Sequence, residues 1–297
     1  NKEEIDSMNK GMFNYLEHIT QNFDVPITQD NEESWKQYNG AIIPIDPPHI
    51  NVKESRLNIT RRIIKTRSYF ARWVENFDKS KQKNFWYVIC DKQYNLEDYS
   101  VNTRSKIRRA LKKNSVKKIK KEILITDGYD VYINAVKRYK TLSRPMKRAE
   151  FENSIKVLHG RYEYWGVNLK ENGKLVAYAI VDPLKGHCNY SVIKFNSDYL
   201  KFYTSYALYF VMNKYYLSLS NLKYVSEGAR SILHNTNVEN FLVEKFYFRK
   251  AYCDLKIIYH PLIKLTIKLI YPFRFLLSKI EINFFHKVYV VLKQHEI

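Results

Sequence analysis

Residues 186–252 read GHCNYSVIKFNSDYLKFYTSYALYFVMNKYYLSLSNLKYVSEGARSILHNTNVENFLVEKFYFRKAY. The aromatic and β-branched residues of His187–Phe195 predict a strand. A polar break, Asn196-Ser197-Asp198, separates it from the almost wholly apolar stretch Phe202–Leu217, which predicts a buried helix. Leu222–Val225 predicts a second strand that ends in a turn, Ser226-Glu227-Gly228. A second helix is expected from Asn237 to the run Phe246-Tyr247-Phe248-Arg249-Lys250. Strand, loop, helix, strand, acidic turn, helix is a βαβα unit, whose crossover makes the two strands neighbours in one sheet. Ligand crevices in such sheets lie at the strand ends, where the loops gather.

The chain has 297 residues, 45% of them hydrophobic, with only 8 Gly and 8 Pro. That is the composition of a folded globular protein, with room for one large domain or two smaller ones. Cys90, Cys188 and Cys253 are too few and too scattered for a disulfide framework, and no Cys/His spacing suggests zinc. A reducing, cytoplasmic compartment and no metal are therefore expected. No stretch reaches the roughly 18 uncharged apolar residues of a membrane span. The net charge of +20 calls for an anionic partner: nucleic acid, a CoA-type phosphate, anionic lipid or acidic glycan. The 25 tyrosines among the basic residues could stack bases. Charge alone does not identify the anion, since a Lys- and Tyr-rich bias also follows from an AT-rich genome.

Outward from the opening stretch, residues 1–34 carry Met8, Met12, Tyr15, Leu16 and Ile19 at helical spacing. Ala41–Asn51 is expected to be a strand followed by a turn at Pro47-Pro48. Asn58–Lys65 predicts a strand, then Tyr69, Phe70, Trp73 and Val74 one face of a helix. Phe85–Cys90, FWYVIC, predicts a buried strand. Arg104–Lys121 holds ten Lys or Arg and no acid. A helix capped at Asn102 or Thr103 is expected to run to Lys113, with Ile107, Ala110 and Leu111 on its inner face. Val116–Thr126 predicts a strand through Ile123 and Ile125, and after Asp127-Gly128 a helix is expected over Tyr129–Lys140. Ala149–Leu158 predicts another helix. Tyr162–Leu169 and Lys174–Asp182 predict a hairpin closed by Asn172-Gly173, and Tyr252–Tyr259 a last strand.

This order resembles the GNAT N-acyltransferase fold, in particular the branch of the FemABX aminoacyl and peptidoglycan transferases and the BioF-like acetyltransferases. NTRSKIRRALKK at Asn102–Lys113 resembles the basic helix that these proteins place before their second half. Tyr199–Tyr252 carries the branch's order of Tyr-containing loop, central helix, strand with an acid-glycine turn, and helix. The resemblance covers about residues 85–260. It implies an α/β (α+β) fold with a mixed, largely antiparallel sheet flanked by helices, and two related halves. The expected divisions are a reduced first half at 1–120, an acyltransferase core at 121–260 and a basic-apolar helical tail at 261–297. GNAT enzymes hold the CoA pyrophosphate on a glycine-bearing loop at the start of the central helix. Lys201–Tyr206, KFYTSY, has no glycine there. The implied donor is thus acetyl-CoA or another acyl-CoA, with aminoacyl-tRNA as the alternative; tRNA would lie on Arg104–Lys121 through its phosphates.

Acyl transfer requires a base for the nucleophile's proton and donors for the developing oxyanion. Glu227, at a strand end beside the expected cleft, is the candidate base, and its structural alternative is a turn carboxylate paired with Arg230. Tyr190 and Tyr203 are candidate proton donors. Lys201, Thr204, Ser205 and Arg230 are candidate ligands for the donor's phosphates. His187 and His234 are expected to be polar loop residues, and Cys188 a small buried apolar one. In the tail, Lys264, Lys268, Arg274 and Lys279 flank Leu, Ile and Phe, which suits a helix packed on the core or a peripheral contact with anionic lipid. Three functions are carried forward. The first is acyl transfer to an amine or hydroxyl of a cell-envelope saccharide or peptide precursor. The others are nucleic-acid binding without catalysis and a catalytically silent GNAT-like scaffold. The sequence leaves the oligomeric state open.

Overall fold

The computed structural model describes residues 26–27, 35–38, 40–79, 81–137, 144–158, 160–230 and 237–264. Its strands are β1 Pro26–Ile27, β2 Trp35–Tyr38, β3 Ala41–Pro44, β4 Phe70–Glu75, β5 Trp86–Cys90 and β6 Asn114–Ile119, then β7 Glu163–Leu169, β8 Leu175–Leu184, β9 His187–Phe195, β10 Tyr224–Ala229, β11 Arg249–Tyr252 and β12 Asp254–Tyr259. The helices are α1 Arg56–Lys65, α2 Val101–Lys113, α3 Lys121–Val136, α4 Arg148–Lys156, α5 Thr204–Leu217 and α6 Asn237–Phe246. Two compact units result, one of residues 86–251 and one formed by 1–85 with 252–297.

The second of these units holds a five-stranded sheet in the order β1-β2-β3-β4-β12. Two expectations are reversed in it. Asn58–Lys65 is helical, and Phe70–Glu75 is a strand. Ser55 caps α1 by accepting the Asn58 N–H, and Ile59 and Ile63, four apart, share its buried face. Those two contacts outweigh the strand preference of its Ile and Thr residues. β4 lies inside the sheet, parallel to β3 and antiparallel to β12, so both of its edges are hydrogen-bonded whatever the spacing of its aromatic residues.

The 86–251 unit is built on a seven-stranded sheet, order β11-β5-β10-β9-β8-β7-β6. β6 to β9 are antiparallel neighbours, β9 and β10 are parallel, and β10 and β5 are antiparallel. The hairpin at Asn172-Gly173 forms as expected, with Gly173 at φ +72°. One face of the sheet carries α2, α5 and α6 through a core that includes Ile107, Ala110, Leu208, Met212, Leu242 and Phe246. The other carries α3 and α4 over Leu124, Val131, Phe151, Tyr178 and Ile180. Covered on both sides, β8 is buried at every residue from Leu175 to Asp182, which is why its sequence runs continuously apolar.

α3 begins at Lys121, so the strand expected across Ile123 and Ile125 stops at Ile119. Leu124, Gly128, Val131, Tyr132 and Ala135 form its buried stripe, a helical period that passes through the glycine. A Cβ on Gly128 would stand 2.6 Å from Leu124 Cδ1 and 3.1 Å from Phe151 Cζ. The residue serves close packing of α3 on α4 rather than a turn. The larger unit takes in both β5, which inserts between β10 and β11, and α2, which packs into its core. The last strand expected at Tyr252–Tyr259 forms as β12, and a further strand not expected, β11, comes just before it and belongs to the other sheet. Most of the 261–297 tail, residues 1–25 and His234 lie outside the described residues.

Candidate functional site

β9 and β10 pair in parallel over three positions only, Tyr224 with His187, Val225 with Cys188 and Ser226 with Asn189. Beyond them each strand keeps a different partner. β9 continues along β8 as far as Phe195, and β10 continues along β5 to Ala229. The sheet is therefore split at the carboxyl ends of this parallel pair, where a crossover fold leaves a crevice. At that point β10 is bulged: Ser226 faces Ile89, Gly228 faces Val88, and Glu227 is the extra residue between them. Gly228 takes φ +102°, a conformation that favours glycine. The turn expected at 226–228 is thus a β-bulge within a longer strand, a device that re-aims a side chain.

The re-aimed side chain is a carboxyl. Glu227 is half-buried, and the Tyr209 hydroxyl of α5 donates to its Oε2 at 3.1 Å. Burial pushes the carboxyl up to about 8, with the Tyr209 hydrogen bond pulling the other way. A group with that value carries its proton in part near neutrality and exchanges it readily, as a general acid or base must. Tyr209 is a residue that the sequence did not single out. Its hydroxyl looks, in sequence, like any other in a tyrosine-rich helix.

The crossover also fixes the start of α5 at the same end of the sheet. A 3-10 turn, Ser197–Phe202, leads to Tyr203, whose backbone is left-handed at φ 55° and ψ 37°. Asn114, at the end of α2, donates from Nδ2 to Ala110 O at 2.9 Å and to Phe202 O at 3.0 Å, which ties this turn to the basic helix. Thr204 is buried, and its Oγ1 has no hydrogen-bond partner. Ser205 is half-buried and Lys201 exposed. The free N–H groups of the first turn of a helix favour anions, so Lys201, Thr204 and Ser205 stand where the sequence expected an anion to be met.

The other candidates separate. Tyr190 is sealed in the core, donating its hydroxyl to Asn213 Oδ1 at 2.7 Å. Burial holds that phenol well above its ordinary value, so it is a packing residue and no proton donor. Tyr203 is half-buried, its ring edge-on to Tyr206 and 6.0 Å from Lys106 Nζ. Arg230 lies with its guanidinium over the Trp86 indole at 4.5 Å, and Lys250 Nζ lies 4.1 Å from the same ring. His187 places Nδ1 3.1 Å from Leu184 O. Cys188 is buried, and desolvation pushes its thiol up.

The basic stretch divides in the same way. Lys118 pairs with Glu163 at 2.7 Å and lies 4.2 Å from the Tyr215 ring, and Lys121 donates to Lys156 O and Leu158 O. Arg104 donates to Glu97 O, and Lys106 meets the Tyr206 hydroxyl. Arg109, Lys112 and Lys113 are exposed. Lys112 and Lys113 line a hollow of about 360 Å³ with Leu169, Lys170, Glu171 and Phe202. Among the described residues no cluster of His, Cys, Asp and Glu is arranged to hold a metal ion, and no helix is long and apolar enough to cross a membrane.

No protein-family model matches the chain, and no curated protein does. Solved structures match it in shape. FemX superposes with a TM-score of 0.55 at 13% identity, over 82% of this chain and 89% of FemX. L-PGS from Bacillus licheniformis gives a TM-score of 0.45 at 10% identity, over 80% and 85%. A tandem GNAT protein from the clavulanic acid biosynthesis pathway gives 0.44 at 10%, over 77% and 78%. The FemX superposition carries the conclusion about architecture: this chain has a FemX-like fold.

Proposed function

We propose that this chain is an acyltransferase that moves an acetyl or aminoacyl group onto an amine or hydroxyl of a cell-envelope saccharide or peptide precursor. One observation carries the proposal: a carboxyl titrating near 8 on a bulge where the sheet parts. The FemX-like fold, together with the resemblance of Asn102–Lys113 and Tyr199–Tyr252 to the FemABX branch, supports acyl transfer as the reaction. In it the acceptor's nitrogen or oxygen attacks the donor carbonyl, and Glu227 takes the proton that the nucleophile loses. The donor's thiolate or ribose oxygen departs as the new amide or ester forms. Tyr203, half-buried beside the start of α5, is the candidate to protonate that leaving group.

Both donor classes, acyl-CoA and aminoacyl-tRNA, bring phosphates. The first turn of α5 with Lys201, Thr204 and Ser205 offers backbone N–H groups, hydroxyls and one ammonium for them. Arg230, held over Trp86, is a further candidate. The exposed Arg109, Lys112 and Lys113 supply a longer basic surface, which favours a polyanionic donor such as tRNA over a single pyrophosphate.

The test is transfer from acetyl-CoA and from aminoacyl-tRNA to envelope precursors, by the native chain and by Glu227→Gln. The variant is expected to lose ~10²- to 10⁴-fold in rate while still unfolding cooperatively, at a temperature no lower than the native chain. Undiminished transfer would remove Glu227 from the mechanism. RNA affinity that falls steeply with salt, with no turnover from either donor, would favour the nucleic-acid-binding alternative.

A further inference from the structure

Helix α1, in the unit built on the five-stranded sheet, has an outer face that the acyl-transfer proposal does not use. Ile59 and Ile63 face inward and are fully buried. On the opposite side, at the i, i+4, i+7, i+8 spacing of one helical face, stand Leu57, Arg61, Ile64 and Lys65. Leu57 is 60% exposed and Ile64 51%. Lys53 and Arg56 at one end and Arg67 at the other are exposed as well. The helix carries no acidic residue. The nearest in sequence, Glu54, is occupied by Arg62 at 2.7 Å and by the Trp35 indole N–H at 2.7 Å. None of Lys53, Arg56, Lys65 and Arg67 is neutralised within the described residues, and Arg61 meets only the neutral Asn58 side chain.

We infer that this face docks on an anionic lipid surface. Two aliphatic side chains kept in water gain by entering the acyl boundary of a bilayer. A ring of five cations with no acid among them is attracted to anionic headgroups, and Lys and Arg can extend their charged ends to that level while the stems stay apolar. A folded protein partner with mixed surface charge would need acids of its own opposite all five. Nucleic acid would match the cations and leave Leu57 and Ile64 unused. Lipid uses both features. The inference is independent of Glu227 and of the donor, and places the chain at a membrane surface by a different element from its basic-apolar tail.

The test is flotation of the full chain with phosphatidylglycerol–phosphatidylcholine vesicles and with phosphatidylcholine vesicles alone. Binding is expected to the anionic vesicles only, and to weaken several-fold between ~50 and ~300 mM salt as the charges are screened. The double variants Leu57→Ser with Ile64→Ser, and Arg61→Glu with Lys65→Glu, should each lower the bound fraction by about tenfold. Both alter exposed side chains only, so their melting temperatures and their transfer to a soluble acceptor should match the native chain. No binding to anionic vesicles overturns the inference. So does native-like binding by both variants, which would assign the contact elsewhere. A self-association or an RNA affinity that the variants abolish, with vesicle binding untouched, overturns it in favour of a second copy or a nucleic acid.

Discussion

Two tyrosine hydroxyls at the interface of α5 with the sheet make hydrogen bonds of similar kind to very different partners. Tyr190 donates to the Asn213 amide, 2.7 Å away in a sealed core. Tyr209 donates to the Glu227 carboxyl at 3.1 Å, where β9 and β10 have parted. The first pair is neutral at every physiological pH and joins strand to helix. The second buries a group that ordinarily ionises below neutrality and holds it near 8. A structural role needs only the first arrangement. The second costs stability, and the proposed reaction is what would use the group so held.

The comparison is sharpened most by replacing one member of each pair. Glu227→Gln should raise stability. Because the folded state keeps the proton up to about 8 while the unfolded chain releases it near the ordinary carboxylate value, the native protein loses stability as pH rises from about 4.5 toward 8. Below that window the two proteins should melt alike. Above it the glutamine variant should gain by as much as about 5 kcal/mol, read as a divergence of melting temperature with pH. Parallel curves would mean that Glu227 ionises normally. Tyr190→Phe should do the opposite: a loss of about 1–3 kcal/mol at every pH, since it strands a buried Asn213 oxygen, and no change in the pH dependence of transfer. A changed pH profile in Tyr190→Phe would break the distinction between the pairs.

The next effect is smaller and acts on the carboxyl alone. The Tyr209 hydroxyl favours ionised Glu227, so Tyr209→Phe should move the rising limb of the transfer rate to higher pH, by roughly 1 unit or less. Transfer that rises through about 8 in the native chain and at the same pH in Tyr209→Phe would show that another group sets the limb.

How legible these features were depends on whether their cause is local. The β7–β8 hairpin follows from Asn172-Gly173 at a turn that needs φ > 0 at Gly173, and β9 and α5 follow from uninterrupted apolar runs. Glu227 was legible as an acid before a glycine at a strand end. Its bulge was not, because the bulge exists only against β5, a strand about 140 residues earlier whose place beside β10 no local pattern announces. Tyr209 was illegible for the same reason: its meaning is the carboxyl across from it. α1 and β4 were exchanged because Ile- and Thr-rich helices and aromatic-spaced strands reverse the usual propensities, and pairing with β3 and β12 decided the matter. The helix expected only after Gly128 starts at Lys121 instead, because the tightness of α3 on α4 that the glycine serves is a property of Phe151 and Leu124 in space.

The smallest effect tests how the fold opens α5 without the glycine that the GNAT loop uses. Tyr203 adopts φ 55°, a region that costs a non-glycine residue ~1 kcal/mol or more, and offsets part of that by packing its ring on Tyr206. Tyr203→Ala keeps the backbone cost and loses the ring, whereas Tyr203→Gly loses both. The glycine variant should therefore melt above the alanine variant, by an amount equivalent to about 1 kcal/mol, with the native chain near the glycine variant. Equal melting of the two would mean that the left-handed residue is unstrained and that the loop has no memory of a glycine requirement. A difference as expected, accompanied by donor affinity that rises in Tyr203→Gly as backbone N–H groups become accessible, would make Tyr203 the residue that narrows the anion site. The choice of donor would then be set at the start of α5, and the proton transfer at Glu227, which Tyr209 meets about one and a half turns further along the helix.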